Sequence, residues 1–211
     1  MQPVRIPHFP EAQHPIVRSL ATSSDRDLLA DFREHPEQGK YFTALFCRYS
    51  PLIYALVRHG ARSPVQADYL FALTWRHMYH ELRGLDPLLV DDEGENSLQS
   101  WLVRTAGFCV SQIELPPPED INYDLQAASP PLWCHLELAM DRLPPLERFV
   151  VLMAQTFHWN DTRIAAYLQA EEEMLSPAEV RAALQDGYRQ LEQALPADIR
   201  AIYLAQRPLA A

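Results

Sequence analysis

At 211 residues with 48% hydrophobic content, the chain is long enough to bury one ordinary core or two small ones. Its 28 Asp+Glu against 18 Lys+Arg leave a formal net charge of -10, which argues against a protein that grips phosphates unaided. Six glycines are too few for a β-rich fold, and three scattered cysteines, Cys47, Cys109 and Cys134, encode neither a disulfide framework nor a zinc finger, so an all-α protein of a reducing cytoplasm is expected.

Residues 1–22 hold four prolines and no sustained period, which predicts an extended, partly mobile N-terminal arm with at most a short anchored segment. No stretch has the length of a signal peptide or of a membrane span, so a cytoplasmic protein without a membrane partner is expected. A first helical domain is read over 23–113. Ser24 caps a short helix carrying Leu28, Leu29 and Phe32, and Tyr41, Phe42, Leu45, Phe46 and Tyr49 follow at helical spacing. A further helix starts after Pro51 with Ile53, Leu56 and Val57. The next, from Pro64 to Leu82, places Ala67, Leu70, Phe71, Thr74, Trp75 and Met78 on one face. Beyond the polar loop Asp91–Asn96, Ser97 caps a helix carrying Leu98, Trp101, Leu102, Thr105 and Cys109, which ends by Leu115 before three prolines.

Residues 114–131 are bounded by prolines and acidic, and read as a linker. The segment 132–205 then reads as a second helical domain. One helix carries Leu132, Leu136, Met140 and Leu143. A second opens at Pro144-Pro145 with Phe149, Val150, Met153 and Phe157. A third is capped by Asn160 and carries Ile164, Ala165 and Leu168. Ser176-Pro177-Ala178-Glu179 combines an N-cap, an N1 proline and an N3 glutamate, and opens a long helix whose buried side is Val180, Leu184, Leu191 and Leu195. Two short helices, a turn and a presented third form a helix-turn-helix, a common way for a helical protein to read a major groove. On the last helix Arg181, Gln185 and Arg189 fall at i, i+4 and i+8, off the apolar side. Arginine forks onto guanine and glutamine onto adenine, so this stripe is a candidate reading head, with a solvated surface as the plain alternative. Arg163 on the preceding helix is a candidate phosphate clamp.

In this order the chain resembles an extracytoplasmic-function sigma factor of bacterial RNA polymerase, over about residues 22–195. Region 2 of that family is echoed by Ser24-Asp25-Arg26-Asp27-Leu28-Leu29, Phe46-Cys47-Arg48-Tyr49-Ser50-Pro51-Leu52-Ile53-Tyr54, Ala67-Asp68-Tyr69-Leu70 and Trp101-Leu102-Val103-Arg104-Thr105-Ala106. Region 4 is echoed by Ala139-Met140-Asp141-Arg142-Leu143-Pro144-Pro145-Leu146-Glu147-Arg148 and by Ile164-Ala165-Ala166-Tyr167-Leu168 followed by Val180-Arg181. The resemblance implies two helical lobes, no catalysis, no cofactor, and core RNA polymerase and promoter DNA as partners; it also admits an anti-sigma factor. It makes Asp68 and Arg76 candidates for polymerase contact. Trp101 lies where an aromatic meets the melted strand, although its period with Leu98 and Thr105 favours core packing, and Arg104 is the candidate phosphate contact beside it. The chain departs from the family at Phe71, usually glutamine, and at Gln112-Ile113-Glu114, where a basic cluster is usual. It departs again in a longer turn filled by Glu171-Glu172-Glu173. The rival readings are a sigma-like interaction module that does not melt promoters and an ordinary helix-turn-helix repressor. His77, His80 and Glu81 share a helix without a third ligand or a His-Glu-x-x-His pattern, and neither a phosphate loop nor a nucleophile elbow is present, so no metal site and no enzyme is expected.

Overall fold

The computed structural model describes residues 6–91 and 93–205; the first five residues of the expected arm and Asp92 of the acidic loop lie outside them. The described residues form ten α-helices: α1 (Pro15–Arg18), α2 (Asp25–Glu34), α3 (Lys40–Gly60), α4 (Pro64–Leu82), α5 (Leu98–Gln112), α6 (Pro130–Asp141), α7 (Pro145–Thr156), α8 (Asp161–Ala170), α9 (Pro177–Ala194) and α10 (Ala197–Tyr203). Among them the only β pairing is an isolated bridge between Asp91 and Ser97. The all-α class expected from the sequence is the class observed. No helix of the described residues is long and apolar enough to cross a membrane.

Two compact units are present, one reaching to Cys134 and resuming at Pro196, the other spanning His135–Leu195. In the first, Ser24, Ser63 and Ser97 each accept a hydrogen bond from the backbone N–H three residues on, at 3.1, 3.1 and 3.2 Å, which fixes the starts of α2, α4 and α5. The core is aromatic. Phe42 and Phe46 of α3 meet Trp75 of α4 edge to face, with ring centroids 5.9 and 5.1 Å apart, and Tyr79 meets Phe42 at 4.8 Å.

Three expectations are corrected here. The two helices anticipated on either side of Pro51 are one continuous α3. A proline inside a helix costs ~3 kcal/mol, but continuing the helix buries Ile53, Tyr54 and Val57, each worth ~1.5–3 kcal/mol, while Pro51 itself lies exposed. The N-terminal arm is docked from Phe9 onward: this ring is 8% exposed, with centroids 4.8 Å from Phe46 and 5.8 Å from Phe71, and a 3₁₀ turn and α1 follow it.

The segment anticipated as a free linker is also packed down. Leu125 is buried, Tyr123 lies 5.1 Å from the Trp133 ring, and Gln66 Nε2 donates to the Pro116 carbonyl at 2.9 Å. The anticipated boundary at 132–205 shifts with it, because α10 belongs to the first unit. Its Asp198 accepts from the Lys40 N–H at 2.8 Å, supplying α3 with the cap that Gly39 lacks, and Tyr203 Oη donates to the buried Glu11 carboxylate at 3.1 Å. Neither bond is visible in a local sequence window, since partners lie 158 and 192 residues apart.

In the second unit Val150, Ile164, Ala165, Leu168 and Val180 make a core shared by α7, α8 and α9, with Leu146, Met153, Trp159, Leu175 and Leu184 packed around it. Gly187 of α9 faces α7 closely; a β-carbon there would lie 2.7 Å from Val151 Cγ2.

Candidate nucleic-acid interface

Helix α9 opens on the reciprocal capping box expected from Ser176 and Glu179. The Glu179 carboxyl is held below its ordinary range by the hydrogen bonds from the Ser176 hydroxyl and backbone N–H. Val180 is fully buried, and Leu184 and Leu191 also turn to the core side. The opposite stripe, Arg181, Gln185 and Arg189, is exposed along the helix.

Both arginines meet carboxylates of their own unit. Arg181 Nη2 donates to Asp161 Oδ2, and Arg189 Nη2 to Asp186 Oδ1 one turn earlier. The side chains of both arginines nevertheless remain 65% exposed. Asp161 is the first residue of α8, and its second oxygen accepts from the Thr162 N–H at 3.0 Å, which fixes the carboxylate. The hydrogen bond from Arg181 holds its pKa below the usual carboxylate value. Sequence reasoning did not single out Asp161. Its acidic first-turn position is an ordinary helix-start signal, and only the packing of α8 on α9 brings it to Arg181.

Arg163 of α8 lies with its guanidinium carbon 4.4 Å from the centroid of the Trp159 ring, a cation–π contact that leaves the residue exposed. The turn from α8 to α9 closes as a Schellman motif: the Glu173 N–H reaches the Leu168 carbonyl at 2.9 Å and the Glu172 N–H the Gln169 carbonyl at 3.3 Å. Glu172 takes the left-handed position, with φ 69°, where glycine is usual. Glu171, Glu172 and Glu173 all face solvent. Between His135 and Leu195 there are ten Asp+Glu and five arginines, with no lysine.

The candidate residues of the first unit are arranged differently. Asp68 is half-buried, accepts a hydrogen bond from Tyr54 Oη at 2.7 Å, and lines a cavity of about 820 Å³ shared with Glu11 and Tyr203. Burial pushes its pKa up from the ordinary value, a direction the Asp124 charge reinforces. Arg76 is exposed, 5.9 Å from the centroid of the Trp133 ring. Trp101 is partly buried on α5, while Arg104 on the same helix is exposed and donates to the Glu95 carbonyl at 2.8 Å. The quoted sequence segments meet in pairs. Asp25 of the first accepts from Arg48 and Tyr49 of the second, and Tyr54 of the second donates to Asp68 of the third.

Among the described residues, no three His, Cys, Asp or Glu side chains are grouped so as to hold a metal ion, and Cys47, Cys109 and Cys134 form no disulfide. In comparison with known proteins, no family model, no curated protein and no solved structure matches the chain.

Proposed function

We propose that the chain is a sigma-type initiation factor, which binds core RNA polymerase and directs it to promoters, with α9 of the second unit entering duplex DNA and with no chemistry of its own. The observation that carries the reading is the two-sided build of α9. Val180 and Leu184 pack into the core shared with α7 and α8, so Arg181, Gln185 and Arg189 are presented outward on the helix. Such a row suits bidentate contacts to guanine and adenine edges. The acidity of the unit fits a factor that stays off DNA alone and borrows phosphate contacts from polymerase.

Arg181→Ala or Arg189→Ala is expected to cost ~1–3 kcal/mol at one base position while leaving folding nearly unchanged, since exposed substitutions stay within ~0.5 kcal/mol. Run-off transcription with purified core polymerase, with thermal melting of each variant alongside, tests this directly. Full activity in both arginine variants would remove the reading.

A second reading is favoured by one observation, the excess of ten carboxylates over five arginines in the helix-turn-helix unit. It makes the chain a sigma-like module that binds polymerase or a regulatory protein without opening promoters. Stable binding to core polymerase with no run-off product from any promoter would decide for it.

A further inference from the structure

Beside the exposed stripe of α9 are two carboxylates that pair with its arginines. Asp161 is held by the Thr162 N–H and packs from α8 toward Arg181; Asp186 precedes Arg189 by one helical turn. Each contact uses one terminal nitrogen of the guanidinium, on a side chain that is 65% exposed. A guanidinium carries five donors in a rigid fork, so one nitrogen spent on a carboxylate leaves enough for a base edge. The charge of the arginine is meanwhile offset by a neighbour that a phosphate would have to displace.

We propose that Asp161 and Asp186 are specificity-determining residues of the α9 surface. They orient Arg181 and Arg189 toward base edges and suppress their attraction to phosphates of any sequence. This inference rests on α9 reading duplex DNA. The surface that reads sequence is thus built to bind random duplex weakly.

The test uses the full chain carrying Asp161→Asn, Asp186→Asn or both, with binding measured to a random duplex and to the duplex it selects best from a randomised pool. Each single change is expected to tighten random-duplex binding about two- to five-fold, the strength of an exposed ion pair. The slope of log affinity against log salt should steepen by up to ~0.9 for each arginine released. Selected-duplex affinity should rise less, so that the ratio of selected to random binding falls.

The control is the double-mutant cycle. In an Arg181→Ala background Asp161→Asn should change nothing, and likewise for Asp186→Asn with Arg189→Ala. Unchanged random-duplex binding, or the same gain with the arginines absent, would overturn the proposal, the latter by showing a general charge effect. Run-off transcription reports separately on the sigma reading. Absent transcription together with the predicted gains would remove that reading while leaving the role of the two aspartates intact.

Discussion

Gly187 sets how closely α9 lies against α7, and its replacement by alanine gives a prediction whose sign comes from geometry rather than propensity. In an exposed helix interior, glycine to alanine stabilises by ~0.8–1.0 kcal/mol. Here the new methyl group would lie 2.7 Å from Val151 Cγ2 and 3.4 Å from both the β-carbon and the carbonyl oxygen of Glu147. Val151 is buried, 3% exposed, and a β-branched side chain in a helix has one strongly preferred rotamer, so it cannot swing aside. Overpacking of this kind costs ~1–3 kcal/mol. The net effect of Gly187→Ala is therefore a loss of up to ~2 kcal/mol. In a Val151→Ala background the offending methyl is gone, and the same substitution should recover its gain of ~1 kcal/mol. The coupling between the two sites is thus ~1–3 kcal/mol. Amide exchange of the α9 backbone in the full chain, compared across the four members of the cycle, measures it within the second unit alone. The reasoning fails if Gly187→Ala slows α9 exchange in the wild-type background, because α7 and α9 would then not be in close contact at this point. Since Gly187 lies between Gln185 and Arg189, the substitution should also weaken any DNA binding by tilting the stripe.

Two further outcomes follow from single residues. Glu172→Gly should stabilise the turn between α8 and α9 by ~0.5–1 kcal/mol, because a non-glycine left-handed residue costs ~1–2 kcal/mol and the added flexibility of the unfolded chain returns only part of it; faster amide exchange at the end of α8 in the variant would refute this. For Asp68 the sign follows from a folded pKa raised above its unfolded value. The fold disfavours the charged form and loses stability as pH rises from the unfolded value of 3.8 through the folded one. Asp68→Asn, which can still accept from Tyr54 Oη, should therefore melt higher than the parent at pH 7 and no higher at pH 3; an equal deficit at both would show that the carboxylate is needed for packing.

Capping and periodicity were legible without tertiary information because both are set within one or two turns of chain. The reciprocal box at Ser176 and Glu179, the Asn160 cap, the serine caps of α2 and α5, and the buried side of α9 all depend on neighbours three or four residues away. The outward stripe of Arg181, Gln185 and Arg189 was legible for the same reason. What only the tertiary structure decided involves partners far apart in sequence or energies summed over many contacts. Pro51 sits inside a helix because the burial gained by continuing it exceeds its local cost. The proline-rich segments that look like an arm and a linker are held by a few large side chains, Phe9, Tyr123 and Leu125, whose burial outweighs the disorder their composition suggests. Asp161 acquires its meaning from Arg181, twenty residues away on another helix, and Asp68 turns to Tyr54 and a cavity rather than standing as a lone surface carboxylate. A sequence window weighs each residue against its neighbours along the chain, whereas charge pairing and burial depend on which helices pack together.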